Sequence, residues 1–200
     1  MAIANFETRE IHCKIIYFGA SGVGKTENLR SIYRKTSPEV LAGLFDMKDI
    51  SPSRMFEFLP VSLGYVRDYH IKLHLFTFQP FDLMPIASDT LMKGVDGVVF
   101  VNDARLMRLT ENVEARQQMM EILKRYDYNF YEMPRVAQHN MMDKTDLIPV
   151  KILKEELSLF GGEDCPSVAS ESEGTLETLK LISGQVLRQL ANTPSSFLGG

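Results

Sequence analysis

The sequence predicts an α/β fold with a mostly parallel sheet flanked by helices. Short apolar runs, typical of strands, alternate along the chain with longer segments of helical spacing. Residues 97–102 (GVVFVN) form a short run that is apolar up to Asn102, as expected of a strand that is covered on both faces. The first strand leads through a glycine-rich turn into a helix. Strands that alternate with helices in this way indicate a parallel sheet.

The individual elements follow from the same patterns. Strands are predicted at residues 11–18, 55–63, 69–78, 97–102 and 135–140, with Gly64 separating the second from the third and residues 168–169 forming the last. Helices are predicted at residues 25–35, 111–126, 150–159 and 174–190. We therefore expect one domain over residues 1–190, followed by a disordered tail over residues 191–200.

Composition and charge restrict the possible functions. The 200 residues are 44% hydrophobic and 24% charged, which is ordinary for a globular domain. With 22 basic and 26 acidic side chains, the net charge is −4, so no nucleic-acid partner is expected. No window approaches the roughly 18 uncharged apolar residues of a spanning helix, so we expect a cytoplasmic protein without an integral membrane segment. We also predict that the distant cysteines are unpaired, with Cys13 buried in a strand.

One motif matches the phosphate-loop pattern G-x-x-x-x-G-K-[ST] completely, and it lies between a predicted strand and a predicted helix. Its glycines let backbone N–H groups approach a phosphate, while the helix directs its positive end to the same anion. The lysine would reach the β- and γ-phosphates and the threonine hydroxyl would bind Mg²⁺. The predicted nucleotide-binding residues are Gly19, Ala20, Ser21, Gly22, Val23, Gly24, Lys25 and Thr26.

The loop after residues 135–140 contains an incomplete guanine-recognition pattern, N-K-x-D. Asn140 and Asp143 match its ends, but Met141 replaces the lysine and provides apolar cover without charge. A shifted register, from Asp143 to Asp146, restores a lysine at Lys144 and loses the asparagine. Both registers remain open at this point.

Four segments of the chain resemble the MglA family, bacterial Ras-like small GTPases that set cell polarity and direct motility machinery. These segments read FETREIHCKIIYFG, GKTENLRSIYRKT, FEFLPVSLG and LMKGVDGVVFVND, and the resemblance extends from about residue 5 to residue 190. It implies a Ras-like sheet, GTP or GDP and Mg²⁺ as cofactors, and a cytoplasmic protein that can act at a cell pole. It also implies a roadblock-domain regulator and polarity or motility effectors as partners.

The segment after the third core strand departs from the family. Family members have T-x-P-G-Q, in which the glycine N–H contacts the γ-phosphate and the glutamine orients water. Here Thr77 is kept, but Pro80 replaces the glycine and Phe81 the glutamine. Proline has no N–H to donate. Gln79 is a candidate replacement two positions early.

The first switch segment also differs from the family pattern D-R-T. Gapless matching places Pro52 at the arginine and Ser53 at the threonine that binds Mg²⁺. Arg54, two residues beyond the lost arginine, is a second catalytic candidate. An arginine finger is worth about 10³–10⁵ in rate, so hydrolysis is expected to be very slow or lost.

Two weaker features complete the site. Residues 167–170 occupy the place of the S-A-K loop, whose backbone N–H contacts the guanine carbonyl, which makes Ala169 and Ser170 candidates. Asp103 follows the apolar strand, where it would either pack near the nucleotide or cap the next helix, and we favour the cap.

The resemblance leads to two functional hypotheses. The first is a guanine-nucleotide-dependent switch or scaffold for cell polarity and motility with weak or absent hydrolysis. The second is a pseudo-GTPase adaptor that acts only by protein–protein binding. A phosphate-loop nucleotide kinase is disfavoured, because no arginine-rich lid segment follows.

Overall fold

A computed structural model of the chain describes residues 3–5, 7–36, 45–46, 57–78, 91–159 and 161–192. In chain order the strands are β1 (Ile3–Asn5), β2 (Glu10–Phe18), β3 (Phe45–Asp46), β4 (Glu57–Val66), β5 (Tyr69–Phe78), β6 (Val95–Asp103), β7 (Arg135–Asn140) and β8 (Glu163–Pro166). The helices are α1 (Lys25–Lys35), α2 (Leu109–Arg125), α3 (Val150–Ile152, continued by a π-helical turn over Leu153–Leu157) and α4 (Thr175–Asn192). No described helix is long and apolar enough to cross a membrane.

The strands form one sheet in the order β3-β4-β5-β2-β6-β7-β8, with β1 paired to the start of β2. Strands β5, β2, β6, β7 and β8 are parallel, and β4 joins β5 as an antiparallel hairpin. The predicted α/β class with a mostly parallel sheet is therefore confirmed, and its arrangement is Ras-like. Because the strands are parallel, β2, β6 and β7 all end at the same edge of the sheet.

The central strands are buried on both faces, which explains why their apolar runs could be recognised in the sequence. In β2 the pattern changes from alternating to fully buried, and every residue from Ile15 to Phe18 is at most 1% exposed. Strand β7 is buried along its whole length, and β6 along nearly all of it. Both faces of these strands are covered, as parallel sheets require. Cys13 is buried, and both Cys13 and Cys165 are free thiols, as predicted.

Several predicted boundaries are wrong. Gly64 does not separate two strands, because β4 continues through it to Val66 with a bulge where Gly64 has a φ of 83°. The last strand lies at Glu163–Pro166 rather than at residues 168–169. Val168 forms only an isolated bridge with Glu173, and Ala169 begins a 3₁₀ turn. An acidic edge strand with one buried residue, Cys165, gives no apolar run to detect.

The C-terminal helix extends further than the sequence pattern predicted. Helix α4 ends at Asn192, so the first two residues of the predicted tail, 191 and 192, are helical. The remainder of that predicted tail lies outside the described residues.

Candidate nucleotide-binding site

The phosphate loop joins β2 to α1 and depends on glycine at two places of close approach. At Gly19 a Cβ atom would lie 2.0 Å from the carbonyl oxygen of Val101 on β6. At Gly24, where φ is 99°, a Cβ atom would lie 2.2 Å from Nδ2 of Asn140. Neither position tolerates a side chain. Among the described residues nothing lies within 4 Å of a Cβ built on Gly22, so the loop is open at that point.

The features of an anion site coincide at the start of α1. Gly24 is the N-cap residue and supplies no side-chain cap, so the positive end of this 11-residue helix is not neutralised by a capping oxygen. Lys25 is 4% exposed, and its Nζ donates to the carbonyl oxygens of Gly19 at 2.7 Å and Ala20 at 2.6 Å. Thr26 is half-buried in the first turn. The glycine cradle, the helix end and the lysine together fit a nucleotide phosphate chain.

The other residues of the predicted loop divide into a buried and an exposed pair. Ala20 and Val23 are buried and anchor the loop to the core. Ser21 and Gly22 are exposed at its outer turn. The loop is therefore held against the core by one pair of residues and exposed to solvent at the other pair.

Asn140, at the end of β7, joins three loops. Its Nδ2 donates to the carbonyl oxygen of Val23 in the phosphate loop at 2.8 Å. Its Oδ1 accepts from the Ala169 N–H at 2.9 Å and from the Ser167 hydroxyl at 3.1 Å. Asn140 is 2% exposed. One buried side chain thus holds the phosphate loop against the two other loops of the predicted base site.

The remaining residues of the base loop lie near the surface. Asp143 is exposed and forms an ion pair with Lys144. This contact, with a smaller contribution from Arg105, lowers the pKa of the Asp143 carboxyl below its ordinary value. Met141 has a left-handed backbone with a φ of 66°. Asp146 is also exposed, and its backbone oxygen accepts from the Leu106 N–H at 2.8 Å.

The structure brings Asn140 and Ala169 together beside the phosphate loop. Ser170 follows Ala169 and is exposed in the 3₁₀ turn. The catalytic candidates Arg54 and Gln79 and the metal candidate Ser53 lie outside the described residues, as do Pro52, Pro80 and Phe81. Thr77 is described, 5% exposed, and its hydroxyl accepts from the Glu57 N–H at 2.9 Å, so it ties β4 to β5.

Asp103 does not cap helix α2, so that prediction is wrong. The N-cap of α2 is Arg108, and Asp103 instead binds the Arg105 guanidinium, with 2.6 Å between Asp103 Oδ2 and Arg105 Nη2. Arg108 extends to the phosphate loop, where its Nη2 donates to the carbonyl oxygen of Ser21 at 2.7 Å. The sequence signal for these contacts is only a pair of arginines after the apolar strand.

The fold and the site together define a phosphate-loop nucleotide-binding protein of the Ras-like class. No protein-family model matches the chain. It is 33% identical over 191 residues to the mutual gliding-motility protein MglA of Myxococcus xanthus (strain DK1622), an alignment that covers 95% of this chain and 98% of that protein. The chain belongs to the MglA family.

Proposed function

We propose that this protein is a guanine-nucleotide-binding switch or scaffold that controls cell polarity and motility, with weak or absent GTP hydrolysis of its own. The observation that carries the proposal is the position of Asn140, which holds the base loop, the phosphate loop and the Ala169 loop in one arrangement. Membership of a family of small GTPases, and a relative named for gliding motility, support the cellular role.

Each part of the nucleotide has residues to receive it. The phosphates would be held by residues 19–26, with Lys25 as the cation, and Mg²⁺ by the hydroxyls of Thr26 and Ser53. Guanine would be recognised by the Asp143 carboxylate. The Ala169 N–H already donates to Asn140, so we assign the contact with the guanine carbonyl to the Ser170 N–H.

The Asn140–Asp143 register is favoured over the shifted one by geometry. Asn140 contacts the phosphate loop through a buried hydrogen bond. In the shifted register its place would be taken by Asp143, which is exposed and paired with Lys144. An exposed carboxylate can accept hydrogen bonds from the guanine edge. It has no N–H, so it cannot replace the Asn140 amide that donates to the Val23 carbonyl.

The proposal that GTP hydrolysis is weak rests on the residues that replace the family's catalytic residues in the switch segments. Bound GTP and Mg²⁺ would order the switch loops, whose state partners read. Pro80 offers no N–H to the γ-phosphate, and Phe81 cannot orient water. Arg54 and Gln79 are the candidates for residual catalysis. A bound nucleotide would then persist until a partner, such as a roadblock-domain regulator, acts on it.

The setting follows from the same family relationship. We propose that effectors of the polarity and motility machinery read the switch loops, and that the protein acts in the cytoplasm, including at a cell pole. A single nucleotide-binding domain would span residues 1–190 and the last two residues of α4, which ends at Asn192.

The first test is the nucleotide content of the purified protein, released by denaturation and separated by chromatography. We expect GDP or GTP near one per chain, and little with Lys25→Met, which keeps the side-chain stem but removes the cation. Lys180→Ala is the matched control, because Lys180 is exposed on α4. Absence of guanine nucleotide, together with no heat of binding on titration with GDP or GTP, would overturn the proposal.

The alternative is a pseudo-GTPase adaptor that acts only by protein binding. It is favoured by Met141, which leaves the base loop without its lysine, and by the losses at Pro52, Pro80 and Phe81. A single-turnover assay separates hydrolysis from binding. Tight binding of both nucleotides, with a partner that prefers one, supports the switch even where no phosphate is released.

A further inference from the structure

The segment between β6 and α2 lies between the two halves of the nucleotide site and is bonded to both. On the base side, the Ala104 N–H donates to the Asn140 carbonyl at 2.8 Å, and the Leu106 N–H donates to the Asp146 carbonyl at 2.8 Å. The Ile148 N–H donates back to Ala104 at 2.7 Å. These backbone bonds fix the segment to the base loop.

The same segment contacts the phosphate loop through Arg108. Arg108 Nη2 donates to the Ser21 carbonyl at 2.7 Å, and its Nη1 forms an ion pair with Glu111. Its Nε has no hydrogen-bond partner among the described residues and lies 3.8 Å from the Asp103 carboxylate. The side chain is 22% exposed, so its guanidinium is largely shielded from water.

The Asp103 carboxylate is a fixed negative charge close to the Arg108 guanidinium. Its side chain is fully buried, and its backbone is held by Asn112 of α2, which both accepts from the Asp103 N–H and donates to the Asp103 carbonyl. Arg105 takes both carboxylate oxygens through Nε and Nη2. The carboxylate, the two arginines and Asn112 form a preorganised unit.

We propose that Arg108 is a positioning residue for bound guanine nucleotide, holding the outer turn of the phosphate loop at Ser21 while its own segment is fixed to the base loop. This inference rests on the proposed function. Through this link the phosphate loop and the base loop are held in a fixed position relative to each other.

Arg108 acts through the loop, so its loss should be visible before any nucleotide is added. In nucleotide-free protein, Arg108→Ala should accelerate hydrogen exchange of the amides in residues 19–24. Arg108→Lys, which retains a cationic donor, should restore most of the protection. Arg188→Ala is the matched control, because Arg188 is 71% exposed on α4 and lies on a different element. Unchanged exchange in Arg108→Ala would overturn the proposal.

The second readout is release of a fluorescent GDP analogue. We expect about a tenfold faster release from Arg108→Ala, equivalent to about 1.4 kcal/mol, with recovery in Arg108→Lys. The loss of affinity should appear for GDP and GTP but not for guanosine, which has no phosphate for the loop to hold. Equal losses for guanosine and GDP would indicate general destabilisation and contradict a role through the phosphate loop.

The two readouts separate this inference from the proposed function. If wild-type protein binds GDP and Arg108→Ala binds and releases it identically, Arg108 is not a positioning residue although the function stands. If wild-type protein binds no guanine nucleotide, the proposed function fails. Faster exchange in Arg108→Ala would then show a structural contact only, and the inference fails as well.

Discussion

The two ends of the central strands use polar side chains in opposite ways. At the carboxyl ends, Asn140 and Asp103 are buried, and each is fixed by several partners. Nearer the amino ends, His12 and Glu10 of β2 and His74 in the middle of β5 are only half-buried. His12 Nδ1 lies 2.7 Å from His74 Nε2, and His12 Nε2 lies 3.2 Å from the Glu10 carboxylate.

This difference distinguishes a site from a surface. A buried polar group without its partner is costly, so the partners at the carboxyl ends specify one arrangement of loops. At the amino ends, solvent can replace a lost partner, and His74 can change protonation. Glu10 accepts from Lys72 at 2.6 Å, which, with His12, lowers the pKa of its carboxyl. The polar groups at the carboxyl ends therefore fix the positions of the loops, whereas the stability contributed by those nearer the amino ends depends on pH.

The largest expected effect comes from Asn140→Ala. It removes three buried hydrogen bonds and leaves the Val23 carbonyl, the Ser167 hydroxyl and the Ala169 N–H without their partner. We expect the free energy of unfolding of nucleotide-free protein to fall by about 2–4 kcal/mol, measured by urea denaturation. Ser167→Ala removes one of the three bonds and should cost about 1 kcal/mol. Equal losses in the two variants would contradict the joining role of Asn140.

The second-largest loss of stability is expected two residues before Asn140 on β7, at Gln138. Asn28 of α1 and Gln138 of β7 bond reciprocally through both amides, at 2.7 and 2.8 Å, and Gln138 Nε2 also donates to Thr178 of α4 at 2.8 Å. Asn28→Ala should lower the free energy of unfolding by about 1.5–3 kcal/mol, because it leaves buried Gln138 without a partner for its carbonyl.

Thr178→Val is the control for this network, since it keeps the shape of the side chain but loses the bond accepted from Gln138 and the bond that the hydroxyl donates to the Gly174 carbonyl at 2.7 Å. It should cost about 1 kcal/mol. A larger loss for Thr178→Val than for Asn28→Ala would place the stabilisation in the hydrogen bonds of the Thr178 hydroxyl rather than in the amide pair.

A smaller effect is expected at the amino ends and depends on pH. Burial, followed by the charges of His12, Lys72 and Lys14, lowers the pKa of His74 from 6.5 to about 4. The unfolded chain therefore binds more protons between these values, and the stability that neutral His74 contributes is present above pH 6.5 and lost as the pH falls towards 4. The full shift corresponds to about 3.4 kcal/mol, which solvent screening reduces to roughly 1–2 kcal/mol.

His74→Phe tests this assignment, because the ring can still stack on Phe58, whose centroid lies 5.5 Å away. Between pH 7.5 and 5.0, wild-type protein should lose about 1 kcal/mol more than the variant in urea denaturation. Between pH 7.5 and 8.5 the difference between the two proteins should stay constant. Parallel loss of stability in both proteins down to pH 5.0 would assign the pH response to other groups.

The sequence predicted the parts of the molecule whose signals are local. Helix α1 and strand β5 were predicted to the residue, because the phosphate loop marks the start of α1 and the apolar residues of β5, Ile71, Leu73 and Leu75, recur at every second position. Strand β8 was misplaced because an acidic edge strand has no such pattern. The site contacts were missed for a different reason: Arg108 and Ser21 are 87 residues apart, and Asn140 and Val23 are 117 apart. Only the folded sheet brings such residues together.

The smallest expected effect is a gain, and it addresses the one position where the carboxyl-end site departs from the guanine motif. Met141 already has a left-handed backbone, with a φ of 66°, so Met141→Lys changes the side chain without a new backbone cost. If residues 140–143 recognise guanine, the added charge should tighten GDP binding about two- to fivefold in calorimetric titration, since exposed charge pairs contribute roughly 0.2–1 kcal/mol. The gain should shrink at high salt.

Two neighbours decide the interpretation of that gain. Met142→Lys adds the same charge one residue on, where the backbone N–H donates to the Ser167 carbonyl at 3.2 Å, and should leave GDP affinity unchanged. Lys144→Met removes the lysine of the shifted register and should have little effect if Asn140 and Asp143 are the ends of the motif. If instead Lys144→Met weakens GDP binding and Met141→Lys does not strengthen it, guanine is recognised by residues 143–146. Asn140 would then serve only to hold the loops.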